Sequence, residues 1–143
     1  MPFHSVTNLD HNEEAIAKDA TSTTGWKPAK GAEGFNFWLY MESTASPSVT
    51  WTLETTLVAP GYRPDEDNIG SDGLHILDPD STVRNNYRSI EIVAAETTQD
   101  AWQHYNTPDE LKYPFSHYRS KIVEGDVGAV DLISTEISFN GMR

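Results

Sequence analysis

Hydrophobic and polar residues alternate with a period of two along two neighbouring segments of this chain. In Val49–Val58, apolar or Thr side chains alternate with polar ones, and Trp51 lies on the apolar side. In Phe35–Glu42, one face carries apolar residues alone: Phe35, Phe37, Leu39 and Met41. This period predicts extended strands that bury one face. Because only a turn containing Pro47 separates the segments, we expect them to pair as an antiparallel hairpin with Trp51 as a core anchor.

The C-terminal part of the chain, Phe115–Phe139, holds two more extended segments. In the second of them, Ile133 and Ile137 share one face, with polar residues between them. The turn at 124–126 contains Gly125, which allows the positive φ of a tight reversal. We therefore predict a closing β-hairpin. The expected core of the domain comprises Leu53, Leu57, Ile90, Ile92, Ile133 and Ile137.

Shorter β-prone segments lie between these long ones, at Thr21–Trp26, Tyr87–Ala95 and Ala101–Tyr105. Pro60–Asn86 is a long irregular stretch in which Leu74–Leu77 is expected to form a small strand. About seven or eight short strands without a long helix indicate an all-β fold. We expect an antiparallel β-sandwich or a jelly-roll-like domain.

The start of the chain differs from the rest because it is polar and acidic, with few apolar anchors. We predict that Met1–Ala20 is an N-terminal arm and that residues 21–143 form the β-sandwich domain. Within the arm, Glu13–Lys18 is compatible with a short helix. The arm is either a frayed terminus or a segment that becomes ordered against a neighbouring subunit.

Composition narrows the possible functions. The length of 143 residues fits one domain. The net charge of −12 disfavours a nucleic-acid partner, because an acidic surface repels phosphate. The lack of cysteine excludes disulfides, thiolate metal sites and Cys nucleophiles. The first ten residues have neither the basic nor the apolar region of a signal peptide, and no apolar run is long enough to span a membrane.

An acidic loop at Asp65–Gly73 is the one candidate for a metal site. Its pattern partly fits a calcium-binding loop, but Ile69 and Ile76 stand where oxygen ligands are needed. We therefore expect a solvated, turn-rich loop. An irregular calcium site within Asp65–Asp80 is the alternative.

Catalytic motifs are not evident in this sequence. None of the five histidines has the spacing of a zinc site. One group has the residue types of a catalytic triad but lacks the Gly-x-Ser-x-Gly turn: Ser71, His75 and Asp78. We expect no catalytic residue, no metal and no cofactor.

The aromatic residues are too numerous for one thin core. Trp38 and Tyr40 lie opposite the apolar face of their segment, so that strand is apolar on both sides. A second buried layer, a sugar-stacking platform and a subunit interface would each account for them. We favour an interface, where aromatic side chains are enriched. The candidate interface residues are Trp38, Tyr40, Trp102 and Tyr105.

Several runs along the chain have a familiar order. They are TSTTGW, GFNFWLYMES, VTWTLETTL, TTQDAWQHYN and YRSKIVEGDVGAVDLISTEISFNG. Over about Thr21 to Gly141, this order resembles small β-sandwich virion proteins of tailed bacteriophages, of the head-decoration, head-fibre and tail-associated types.

The resemblance implies a non-enzymatic structural subunit that forms homo-oligomers on a capsid or tail. Its partners would be the major capsid or tail proteins, and it would be assembled in the host cytoplasm and located in the virion. A carbohydrate-binding module or lectin-like adhesin, with surface polysaccharide as its partner, is the alternative.

Overall fold

Strands account for most of the regular structure of this chain. A computed structural model describes residues 3–29 and 31–142, and these contain nine strands and one 3₁₀ turn. The strands are β1 (Phe3–Ile16), β2 (Thr21–Thr23), β3 (Lys27–Pro28), β4 (Glu33–Glu42), β5 (Val49–Thr56), β6 (Arg88–Glu96), β7 (Gln103–Tyr105), β8 (His117–Glu124) and β9 (Val130–Met142). The 3₁₀ turn is Asp109–Lys112. Within the described residues, no helix is long and apolar enough to cross a membrane.

The strands form two antiparallel sheets. A four-stranded sheet has the order β1-β9-β4-β7, and a five-stranded sheet has the order β2-β8-β5-β6, with β3 also paired to β8. Along the chain, each strand pair lies between the members of the one before it. The pairs are β1 with β9, β2 and β3 with β8, β4 with β7, and β5 with β6. If β2 and β3 are counted as one interrupted strand, this is the strand order of a jelly roll. The predicted all-β sandwich is confirmed.

The core lies between the two sheets and is built by the alternation seen in the sequence. Every second residue of β4 from Phe35 to Met41 is buried, and so are Val49, Trp51 and Leu53 of β5. The rings of Phe37 and Trp51 meet edge to face across the sandwich, with centroids 5.8 Å apart. The predicted core residues Leu53, Ile90, Ile133 and Ile137 are buried, and Ile92 is partly buried against them.

Leu57 is the one predicted core residue that the structure places outside. Its side chain is 70 % exposed, because β5 ends at Thr56 and the alternation ends with it. The Thr56 carbonyl accepts the Ser116 N–H, and Thr56 Oγ1 accepts the Val58 N–H. These bonds close the strand before Leu57, so the prediction for this residue was wrong.

Both predicted hairpins were also wrong. β4 and β5 lie in opposite sheets, and so do β8 and β9. In each pair the connection crosses from one sheet to the other, because strands with one largely apolar face bury more area when those faces oppose each other.

A buried carboxylate organises the end of the sandwich where these crossings occur. Glu124 is 0 % exposed and accepts three backbone N–H groups, from Asp19, Ser48 and Val127, at 3.0–3.1 Å. These donors belong to the connections β1–β2, β4–β5 and β8–β9. One side chain therefore holds three crossings together.

The N-terminal segment runs along the four-stranded sheet. The predicted arm contains β1, which pairs with β9 from Phe3 to Ile16, so the structure places this part of the arm within the sandwich. Of the helix-compatible segment Glu13–Lys18, the part up to Ile16 belongs to the strand instead. Ile16 is buried in the core, whereas Leu9 is half exposed.

The long irregular stretch lies over the outer face of the five-stranded sheet. Leu74–Leu77 does not form the small strand expected there, and the only described pairing in it is one isolated bridge between Ile69 and His75. The guanidinium of Arg119 lies over the rings of Trp26 and Tyr87, at 4.4 and 5.0 Å from their centroids. Arg119 also donates to Glu54 of β5 at 2.6 Å, and Trp26 Nε1 donates to Asp80 of the loop at 2.8 Å.

Candidate functional site

An aromatic surface lies on the outer face of the four-stranded sheet. It consists of Trp38, Tyr40, Trp102 and His104. The alternation of β4 turns Trp38 and Tyr40 away from the core, and β7 pairs beside β4 with His104 opposite Trp38. Trp102 directly precedes β7. Adjacent strands therefore bring together aromatic residues that are far apart in sequence.

The rings of this surface pack against each other in two tilted pairs. The centroids of Trp38 and His104 are 4.6 Å apart, and those of Tyr40 and Trp102 are 5.5 Å apart. Trp38 remains 37 % exposed and Trp102 46 % exposed. These ring contacts restrict the side-chain rotamers before any partner binds, which lowers the entropy cost of binding.

A carboxylate lies beside the two indoles. Glu136 of β9 is the cross-strand neighbour of Trp38, and together with Trp102 they line a shallow recess of about 300 Å³. On the other side of Glu136, β1 contributes Leu9. A row of Leu9, Glu136, Trp38 and His104 thus crosses all four strands.

Hydrogen bonds hold the polar groups of the aromatic surface. The Tyr40 hydroxyl donates to Glu42, and this hydrogen bond, with smaller effects of burial and of nearby carboxylates, raises the pKa of Tyr40 to about 12. His104 Nε2 lies 3.3 Å from Asn36 Oδ1. Tyr40 therefore stays protonated at neutral pH.

Tyr105 does not join the other three candidate interface residues. It follows His104 on β7 and faces the core, where its ring meets the edge of Trp51 at 6.2 Å. Its hydroxyl donates to Glu96 at 2.8 Å, and its pKa is raised by burial and by this carboxylate. The structure thus brings Trp38, Tyr40 and Trp102 together. Their role as an interface stays a prediction.

A chain of buried hydrogen bonds has the residue types of a catalytic triad. His11 Nδ1 lies 2.9 Å from Glu14 Oε2, and His11 Nε2 lies 3.0 Å from Ser120 Oγ. Trp51 Nε1 donates to the same Ser120 oxygen at 2.6 Å. His11, Trp51 and Ser120 are all 0 % exposed, so a substrate cannot reach the hydroxyl. The arrangement links the two sheets and offers no accessible nucleophile.

The residues noted earlier for their triad types serve the long loop. His75 Nδ1 accepts the Leu77 N–H, and the Asp78 carboxylate accepts the N–H groups of Gly61 and Asp80. Ser71 is exposed. These bonds fix turns in the loop and do not form a relay.

The acidic loop uses its carboxylates in a similar way. Asp65 accepts the N–H groups of Asp67 and Asn68, and Asp72 accepts those of Leu74 and Thr82. Among the described residues, no group of three His, Cys, Asp or Glu side chains is placed to hold a metal ion. Such capping bonds are typical of Asx turns.

The fold has counterparts among solved structures. A chain in the structure of infectious bursal disease virus, Gx strain, is similar with a TM-score of 0.52 and 12 % identity, over 96 % of this chain and 32 % of that one. A chain of the T=1 particles derived from infectious bursal virus matches with a TM-score of 0.49 and 12 % identity, over 97 % of this chain and 31 % of that one. This chain therefore spans about a third of the length of each.

No protein-family model and no curated protein matches this sequence. The chain in the structure of infectious bursal disease virus shares a fold with this one. At 12 % identity this likeness shows the fold alone, and it does not show the decoration type of tailed bacteriophages.

Proposed function

We propose that this chain is a non-enzymatic structural subunit of a virus particle and that it acts through contacts between its own copies. We further propose that it is a capsid-decoration or other surface component of a tailed bacteriophage, with major capsid or tail proteins as its partners. The fold likeness to a chain of a virus structure, over 96 % of this chain, supports the first statement. The sequence resemblance to small phage virion proteins supports the second.

The aromatic surface is the observation that carries the proposed contact between copies. Trp38 and Trp102 are large, exposed and held in place by contacts with neighbouring rings, which are the properties of residues at the centre of protein interfaces. A stable interface covers about 800 Å² on each partner, which the outer face of a four-stranded sheet can supply.

The charge of the chain limits which surface can be used. At a net charge of −12, two copies repel each other unless their contact excludes most acidic groups. The loop Asp65–Asp80 lies on the opposite sheet from the aromatic surface, so contact through the aromatic surface leaves the loop facing solvent.

Sedimentation velocity of the purified protein tests the contact. We expect the native chain to form an oligomer, and the double variant Trp38→Ala/Trp102→Ala to sediment as a monomer. Tyr113→Ala is the matched control, because Tyr113 is an aromatic residue that is 62 % exposed outside this surface. A native chain that is monomeric at every concentration, or a double variant that still assembles, would contradict the proposal.

Glycan binding is the second candidate function, and one observation favours it. The recess between Trp38 and Trp102 contains the Glu136 carboxylate. Indoles stack on sugar rings and a carboxylate accepts hydrogen bonds from sugar hydroxyls, whereas a protein partner would leave this charge buried unless it supplied a cation. Calorimetric titration with surface polysaccharides would decide: binding that Trp102→Ala removes and Tyr113→Ala retains would establish this function.

A further inference from the structure

The contacts that hold β1 to the opposite sheet are largely polar. Among the described strands, β1 pairs with β9 alone, so it is an edge strand of its sheet. Toward the five-stranded sheet its side chains form five hydrogen-bonded pairs, which we call the polar seam: Asn8–Tyr118, Asp10–Lys27, His11–Ser120, His11–Ser22 and Glu14–Ser22. Its described apolar contributions to the core are Val6 and Ile16.

The polar seam favours one register of β1, but it contains a buried polar group without a partner. The Asp10 side chain is 0 % exposed, and its Oδ2 has no hydrogen-bond partner among the described residues. Burial raises the pKa of Asp10, although the hydrogen bond from Lys27 opposes this effect. Directional pairs of this kind set the register of β1, since a shift by one residue would leave all of them unmatched.

The connection from β1 to β2 is short and has an unfavourable backbone. It runs from residue 17 to residue 20, and Asp19 has a φ of +59°. Within β1, Glu13 has a φ of +50°, next to breaks in the pairing with β9. Positive φ is uncommon for residues other than glycine, although Asp tolerates it better than most, and an extended hinge would release Asp19 from it. Short, strained hinges favour the exchange of a terminal element between copies.

We infer that β1 is an exchangeable strand, so that in the oligomer β1 of one copy pairs with β9 of a second copy. This inference rests on the proposed function, because it adds an exchanged strand to an oligomer that contact through the aromatic surface holds together. An incoming β1 would find the same partners: β9 along its edge and the polar seam across the sandwich. The exchange needs no new acidic surface to be buried, and like charges therefore oppose it less than they oppose a new interface.

An engineered disulfide can distinguish a β1 exchanged between copies from a β1 that stays in its own domain. The native chain has no cysteine that would interfere. Thr7 of β1 is the cross-strand partner of Ser138 of β9, a separation suited to a disulfide. The variant Thr7→Cys/Ser138→Cys would be refolded at high concentration, its oligomer isolated by size exclusion, and the oligomer oxidised and run on a non-reducing denaturing gel. We expect the chains to migrate as covalently linked multimers and not as single chains.

The matched control is Asn36→Cys/Ser138→Cys, which joins β4 to β9 and stays within one chain in either arrangement. An oligomer in which Thr7→Cys/Ser138→Cys yields only intrachain disulfides would overturn the exchange and leave the proposed function standing. A protein that never forms an oligomer would overturn both.

The length of the hinge provides a second measurement. Inserting a short Gly-Ser segment between Lys18 and Asp19 lets β1 fold back on its own domain without strain. We expect this insertion to lower the interchain fraction of Thr7→Cys/Ser138→Cys severalfold. An interchain fraction that the longer hinge leaves unchanged would contradict the role of the hinge.

Discussion

Glu124 is a single side chain on which three connections of the fold depend, and its replacement by Gln should weaken the whole domain. The carboxylate accepts N–H groups from Asp19, Ser48 and Val127. Glutamine has nearly the same shape but lacks the charge, and it keeps one acceptor oxygen where the carboxylate has two. The substitution therefore removes the charge-assisted part of these bonds without leaving a cavity.

The pKa of Glu124 gives the magnitude. Burial by itself would raise this pKa, but the backbone donors outweigh burial and lower it from 4.5 to about 2. Each pKa unit corresponds to 1.36 kcal/mol, so the folded state favours the ionised carboxylate by about 3 kcal/mol. We expect Glu124→Gln to lower the free energy of unfolding at pH 7 by about 2–3 kcal/mol.

The sign of the pH dependence follows from the direction of the shift. Because the pKa of Glu124 is lower in the folded state, its contribution is complete above about pH 4.5 and is lost as the pH falls toward 2. The difference in stability between the native protein and Glu124→Gln should shrink over that interval. Other carboxylates titrate in both proteins, so their contributions to the free energy of unfolding cancel in the difference.

Urea unfolding followed by tryptophan fluorescence, at pH 7 and at steps down to pH 2, measures this difference. Glu91→Gln on β6 is the control, because the same substitution is made there at an exposed position. We expect it to change the free energy of unfolding by less than about 0.5 kcal/mol. A Glu124→Gln protein as stable as the control at pH 7, or a difference independent of pH, would refute the role given to this carboxylate.

Three further predictions concern the core and the long loop. Ile137→Ala should lower the free energy of unfolding, measured in urea, by about 2–5 kcal/mol. Leu57→Ala, at a position that is 70 % exposed, should lower it by less than about 0.5 kcal/mol. Millimolar calcium should leave the melting temperature nearly unchanged, and a rise of several degrees that a chelator reverses would show that Asp65–Asp80 binds the ion. Arg119→Ala should leave the buried Glu54 carboxylate unpaired at a cost of about 3 kcal/mol. It should also speed proteolysis of the long loop, and a loop cut at the native rate would argue against Arg119 as its anchor.

Alternation in the sequence predicted which faces are buried but could not predict which strands are neighbours. Phe37 and Trp51 were each assigned to a buried face, and each is in the core. The hairpin between their strands was wrong because the backbone groups of a strand are satisfied equally well by any neighbour. The choice of partner depends on the whole set of apolar faces, which no local pattern contains.

The aromatic surface was predictable to the same extent. The outward direction of Trp38 and Tyr40 follows from the period of two in β4. The contributions of His104 and Glu136 depend on the pairing of β4 with β7 and β9, and these strands are distant in sequence. Tyr105 was grouped with the surface by residue type, although its position next to His104 on a strand already indicated the opposite face.

Buried polar residues were the hardest to predict from the sequence. Glu124 and Asp10 are of types that usually lie at the surface and His11 is of an intermediate type, and hydrophobic periodicity assigns them no partner. The acidic and polar composition of residues 1–20 pointed away from a strand for this reason. The structure shows that β1 can be polar because its inward side chains find hydrogen-bond partners on the opposite sheet.

The composition of purified virus particles tests the central proposal most directly. Particles from the source that encodes this chain would be banded on a density gradient, and their proteins quantified by mass spectrometry. The proposal predicts that the chain is present in the particle band in many copies, at a fixed ratio to the major capsid or tail protein. A chain that is absent from the particles and remains in the soluble fraction as a monomer would contradict it.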